Sequence, residues 1–401
     1  MLKGQPLPLS GLRVLDLTTV IYGPYTTQML GDFGADVIKI ETPGGDMTRD
    51  IGVSRNPKMT ALFMGSNRNK RSVVLDLKRG EARAAFWRLI NGADVLVHNI
   101  RPQKMAKLGF DPNTVLARRP AIVYGALLGY REDGPYGGMP AYDDVIQGQS
   151  GLAGTFAARD GEPVLIPTIV ADKTAGLLAS NGILAAVIQR LVTGKGVYVE
   201  TSMFEGLAAY TLLEHQDGTI FRPPLSEPGY PRALSPERRP HQTADGYLCM
   251  LAYTDKHWRD FWALSGQAGP AADTRFETVR SRADNIDALY KIVGETLSQK
   301  TTGEWLQILK EAEIPAGPVN RLEDLREDAH LQAISFFRPF EHPSEGAMEI
   351  PDTAYRFDRK TLPVHQPQPR LGEHTEEVLL EAGLSADEVR VVMEEGSEKE
   401  T

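Results

Sequence analysis

Apolar and polar positions along this chain follow two periods, and the switches between them outline a βα repeat. Leu12-Arg13-Val14-Leu15-Asp16-Leu17 reads as a short strand, and 24–30 as a helix opened by Pro24, a residue suited to a first turn. Ala35-Asp36-Val37-Ile38-Lys39-Ile40-Glu41 is the next strand. Strand, helix and strand in this order predict a parallel sheet. Further strands are expected at 72–77, 93–98, 120–126 and 197–201, with helices at 80–89 and 202–213. The longest helical pattern covers 174–191, with Leu177, Leu178, Ile183, Leu184, Val187 and Ile188 at mostly helical spacing. Ala175, Gly176 and Ala179 suit it to close packing on a sheet, and Thr193-Gly194 stops it. Asp172 stands at the mouth of this helix. A carboxylate there either caps the helix or serves chemistry, and the pattern leaves both open.

The pattern breaks at two places. Residues 129–140 are too rich in glycine and proline for a regular element and read as a binding loop, followed by a helix over 141–151 that Asp143 or Asp144 caps. Residues 221–239 are dense in proline, serine and charge and read as a connector. Beyond it, a strand over 242–251 and helices at 255–264, 286–293 and 302–312 describe a smaller α+β region. Trp258, Phe261 and Trp262 belong to its core. Residues 314–319 read as a rigid turn, 335–358 as irregular strands, and 376–380 and 387–398 as closing helices. The domains are thus 1–220, a large α/β unit; 221–330, connector and small domain; and 331–401, a return to the large unit.

Charge narrows the chemistry. The 401 residues carry a formal net charge of -9, which speaks against a general nucleic-acid binder but allows a local basic pocket. No apolar run reaches membrane-spanning length, and the first six residues lack a signal-peptide core, so a cytoplasmic protein is expected. The single cysteine, Cys249, fits a reducing compartment and reads as a buried strand residue. The first βα loop has only Gly23, which makes a dinucleotide cofactor a weak reading. The eight histidines show no ligand spacing, and no metal site is expected. Two clusters could hold phosphates: Arg68, Lys70 and Arg71 before a strand, and Arg101, Lys104 and Lys107 after one. Solvated surface is the alternative for both.

Taken together, several stretches resemble the class III CoA-transferases, the CaiB/BaiF family that also holds formyl-CoA transferase, carnitine CoA-transferase and the α-methylacyl-CoA racemases. They include Gly31-Asp32-Phe33-Gly34-Ala35-Asp36-Val37-Ile38-Lys39-Ile40-Glu41, Asn67-Arg68-Asn69-Lys70-Arg71-Ser72, Asn99-Ile100-Arg101-Pro102, Tyr142-Asp143, Ile169-Val170-Ala171-Asp172, Ile314-Pro315-Ala316-Gly317-Pro318-Val319 and Leu371-Gly372-Glu373-His374-Thr375. They occur in the family's order over nearly the whole chain.

The resemblance implies an α/β fold: a Rossmann-like large domain built from both chain ends, a smaller inserted α+β domain, and an interlocked homodimer. It places the catalytic carboxylate on Asp172. It puts CoA contacts at Val20, Arg71, Asn99, Ile100, Arg101, Lys107 and Tyr142, with acyl-CoA and a small carboxylic acid as substrates and no tightly bound cofactor. It implies acyl transfer through aspartyl anhydride and aspartyl-CoA thioester intermediates. Tyr142 stands where the racemases carry histidine, and a phenol is a poor base near neutral pH, which favours transfer over racemisation. Racemase activity and a non-catalytic CoA-binding dimer are the alternatives. Arg232, Arg238 and Arg239 could recognise the second carboxylate of an acceptor such as succinate, or be solvated charge.

Overall fold

The computed structural model describes residues 6–394. The acidic helix expected over 387–398 is seen as Ala386–Met393, ending at Glu394, and residues 395–398 lie outside the described residues. Six strands form one parallel sheet: β1 (Arg13–Leu17), β2 (Asp36–Glu41), β3 (Lys70–Val74), β4 (Val95–His98), β5 (Val123–Leu128) and β6 (Tyr198–Ser202). Their order is β3-β2-β1-β4-β5-β6. The strands are apolar runs because helices cover both faces, as parallel sheets require. Leu15, Ile38, Val73, Leu96 and Tyr124 are fully or almost fully buried in this core, joined by Phe86, Phe110 and, from the end of the chain, Leu379.

The helix expected over 174–191 is Val170–Thr193. It is long and apolar enough to cross a membrane by length and composition, contrary to the sequence expectation. Its inner stripe, Ala171, Ala175, Ala179, Ile183 and Val187, is buried, and it is the core helix of this unit. Besides the sheet, it packs on the helix Tyr22–Asp32, and Gly176 sets the approach. A Cβ there would lie 2.9 Å from Tyr25 Cδ1.

By their contacts the described residues divide into two compact units. One comprises the chain up to Ser150, Ile166–Tyr210 and the chain from Phe337; the other comprises Gly151–Leu165 and Thr211–Phe336. The second unit therefore takes in 151–165, which the sequence bounds left with the large domain. It has its own core of Trp258, Phe261, Trp262, Leu289, Trp305 and Leu309. A three-stranded antiparallel sheet of β7 (His241–Gln242), β8 (Tyr247–Met250) and β9 (Ala316–Pro318) packs with it. The stretch read as a rigid turn is thus an edge strand, where proline is tolerated. Cys249 is on β8 as expected but exposed, because alternation turns Leu248 inward and Cys249 outward. The region read as irregular strands holds a regular hairpin, β10 (Phe337–His342) with β11 (Gly346–Pro351).

Candidate active site

The strand order reverses between β1 and β4, so the loops leaving their C-terminal ends lie side by side. Open α/β sheets bind ligands at such a point. The loop after β1 is tied down group by group. Asp16 Oδ1 accepts the Thr18 N–H at 2.9 Å, and Lys39 Nζ donates to Thr18 O at 2.8 Å. The Asn99 amide exchanges two hydrogen bonds with the Thr19 backbone, at 3.0 and 2.8 Å. Asp46 Oδ1 accepts the Val20 N–H at 3.2 Å, and its other oxygen accepts from Lys39 at 2.9 Å. Val20 is held at a φ of 71°, which β-branched residues rarely adopt. Beneath the loop Lys70 donates to Asp16 at 3.1 Å, and burial pushes its ammonium down to about 8.

Asp172 sits in the first turn of the helix Val170–Thr193, two residues inside its start. It does not cap the helix. That task falls to Asp143, first residue of the helix Asp143–Gln149, whose Oδ1 accepts the Asp172 N–H at 3.0 Å. Asp143 Oδ2 accepts from Gln147 Nε2 at 2.6 Å, and Gln147 Oε1 accepts the Ile166 N–H at 2.9 Å. The Asp172 side chain is left unengaged by any hydrogen bond among the described residues, although the residue is only 8% exposed. Burial, with the neighbouring Asp143 charge adding to it, pushes Asp172 up to about 7. A carboxylate in this state is poorly solvated and correspondingly reactive.

A cavity of about 430 Å³ opens on Asp172, lined by Val20, Tyr22, Asn99, Arg101 and Tyr142 among others. Tyr22 is fixed there by donating to Thr201 O at 2.8 Å. Tyr142 is largely exposed. A second cavity, about 460 Å³, is lined by apolar Leu75, Leu77 and Ile100 and by Lys78, Lys104 and Lys107. Thr19 and Lys104 line both, so the two adjoin.

The structure thus brings Val20, Asn99, Arg101 and Tyr142 to the Asp172 cavity, and Ile100 and Lys107 to its neighbour. It does not bring Arg71. That guanidinium is consumed by Asp36, Glu377 and Glu381, at 2.8, 3.1 and 2.9 Å. The strand begins at Lys70 rather than at the expected residue 72, so Arg71 lies within the sheet and away from its C-terminal edge. Sequence reasoning missed Lys78, just beyond β3 at that edge, and the capping role of Asp143 toward Asp172. The available signal for Lys78 was its place after an apolar run feeding the crevice. Of the arginines considered for acceptor binding, Arg232 donates to Tyr290 Oη at 2.8 Å and Arg239 pairs with Glu237 at 2.8 Å. His98, at the end of β4, is held neutral by burial, which pushes it down to about 4. Among the described residues no cluster of three or more His, Cys, Asp or Glu could hold a metal ion.

Comparison with known proteins agrees with this geometry. A family model described as CoA-transferase family III matches residues 9–375. The chain is 30% identical over 375 residues to the succinyl-CoA:glutarate CoA-transferase of Mus musculus, covering 93% of this chain and 86% of that one. It is 32% identical over 385 residues to the succinate–glutarate CoA-transferase of Agrobacterium fabrum (strain C58), covering 93% and 95%. Among solved structures it resembles a CaiB/BaiF family protein from Brucella suis, with a TM-score of 0.79 and 29% identity, covering 94% of this chain and 100% of that chain.

Proposed function

Because the chain belongs to CoA-transferase family III, we propose that it moves CoA from an acyl-CoA to a free carboxylic acid with Asp172 as the nucleophile. The observation that carries this reading is a buried carboxylate, free of hydrogen bonds among the described residues, on a cavity that adjoins a lysine-ringed apolar one. The CoA thioester lies across both. Its nucleotide end rests on Leu75, Leu77 and Ile100, with Lys78, Lys104 and Lys107 meeting the phosphates, and its thioester end passes Thr19 and Asn99 toward Asp172.

Asp172 attacks the thioester carbonyl carbon. The C–O bond forms as the C–S bond breaks, and the thiolate leaves an aspartyl anhydride. The thiolate then attacks the Asp172 carbonyl, forming an aspartyl-CoA thioester and releasing the donor carboxylate, which carries the negative charge away. An acceptor carboxylate reverses both steps with a new acyl group. The sequence of steps exchanges one thioester for another, so it needs no ATP. Holding the carboxylate poorly solvated and in line with the thioester supplies the reactivity that carboxylates lack in water.

A short dicarboxylate such as succinate or glutarate is the proposed acceptor class, supported by the substrates that the names of the mouse and Agrobacterium relatives carry. Arg101, on the Asp172 cavity, supplies a cation for its second carboxylate or for CoA. We further propose a cytoplasmic homodimer. The outer face of the Val170–Thr193 helix supports the dimer, since Leu177, Ile188, Leu191 and Val192 are large, apolar and exposed in the single chain. The test is incubation with succinyl-CoA and labelled glutarate. Label in glutaryl-CoA without ATP supports transfer; exchange of an α-deuterium with solvent in its place would mark a racemase.

A further inference from the structure

We propose that Asp143 is a positioning residue that destabilises the free Asp172 carboxylate relative to its acylated forms, and so sets how much enzyme rests as a covalent adduct. The inference rests on the reading of Asp172 as nucleophile and goes beyond it.

Its basis is geometric. Asp143 is 6% exposed, and its Oδ1 is fixed 3.0 Å from the Asp172 backbone nitrogen. Gln147 holds its other oxygen at 2.6 Å. Two buried carboxylates are therefore neighbours, Asp172 on the cavity wall and Asp143 on its backbone N–H, with no cation within salt-bridge distance of either among the described residues. This is a costly arrangement for a merely structural cap, because a serine or asparagine would satisfy the same N–H without a second charge.

Acylation resolves the conflict. Both the anhydride and the thioester of Asp172 are neutral, and the charge departs first with the thiolate and then with the released acid. Repulsion from Asp143 thus acts on the resting carboxylate and vanishes in each intermediate. It also vanishes when Asp172 is protonated, which ties the effect to pH.

Titratable groups on this helix and on the other elements packed against it do not supply this repulsion. Tyr22, on the Tyr22–Asp32 helix, bonds Thr201 O. From β5, Tyr124 bonds Phe110 O, and from β6, Glu200 accepts from Tyr198. Lys173, next along the same helix, is turned to Thr168. Arg101 and Lys104 on the cavity are cations, which act in the opposite sense.

The test uses purified full-length enzyme equilibrated with succinyl-CoA and succinate, quenched, and analysed by peptide mass for CoA or succinyl on Asp172. Asp143→Asn keeps an oxygen for the Asp172 N–H and removes the charge; Asp143→Glu keeps the charge. The inference expects the ratio of acylated to free Asp172 at pH 8 to fall about tenfold in Asp143→Asn, the equivalent of one pKa unit of lost repulsion. It expects the acid limb of the kcat profile to move down by about one pH unit, and Asp143→Glu to restore both. An unchanged ratio and limb in a folded Asp143→Asn enzyme would overturn it while leaving Asp172 as nucleophile. Should Asp143→Asn not fold, Asp143→Ser is the second neutral variant, and failure of both to fold overturns the inference in favour of a structural role. Absence of any adduct in the wild-type enzyme overturns the underlying reading and this one with it.

Discussion

Replacing Asp172 with asparagine should remove transfer activity and, above neutral pH, make the protein more stable. The sign follows from proton binding. Between pH 4 and 7 folded Asp172, with its pKa pushed up to about 7, holds a proton that the unfolded chain has released. Stability therefore falls as pH rises through that window and stays reduced above it. A displacement of about 3 pKa units corresponds to about 4 kcal/mol at 1.36 kcal/mol per unit. The helix N-terminus returns ~1 kcal/mol by favouring the carboxylate, leaving about 3 kcal/mol. Asparagine is neutral at every pH and avoids the whole penalty. Thermal melts of wild type and Asp172→Asn at matched protein concentration, from pH 4 to 8.5, are the assay. The two should coincide near pH 4 and separate to roughly 6–12 °C by pH 8, at about 2–4 °C per kcal/mol. A gap that is constant with pH, or a variant less stable at pH 8, would refute the reasoning. Sites that hold a strained group for chemistry commonly trade stability for it.

Other outcomes follow from the same structure. Lys107→Ala should raise KM for acyl-CoA by about three- to tenfold with kcat little changed, an effect that added salt diminishes. Arg71→Ala should leave that KM alone and lower the melting temperature, because Arg71 serves Asp36 and Glu381. Asn99→Ala frees both Thr19 backbone groups and should weaken CoA binding, measured by calorimetry, without unfolding the sheet. Gly176→Val drives a side chain into Tyr25 and the Tyr22 carbonyl and should cost ~1–3 kcal/mol in urea unfolding.

Much of the fold was legible because the strands of a covered parallel sheet are apolar runs separated by helical periods. The start of β3 was not. Lys70 is fully buried in an ion pair with Asp16, and a sequence reading assigns lysine to solvent. β9 was read as a turn because two of its three residues are Gly317 and Pro318, and only its edge position permits them. The candidate site was legible in part. Asn99, Ile100 and Arg101 follow a strand end, and the topology brings that end beside the Val20 loop. The state of Asp172 could not be read from its neighbours in sequence. Whether an aspartate at a helix start is a cap or a free carboxylate depends on what else reaches the helix, and Asp143 does so from 29 residues away.

The most direct test of the central claim is peptide mass analysis of the enzyme trapped during turnover with succinyl-CoA and glutarate. The account predicts a CoA or acyl adduct on Asp172 that forms and decays at least as fast as product appears. Full turnover with Asp172 unmodified throughout, or undiminished activity in Asp172→Asn, would contradict it.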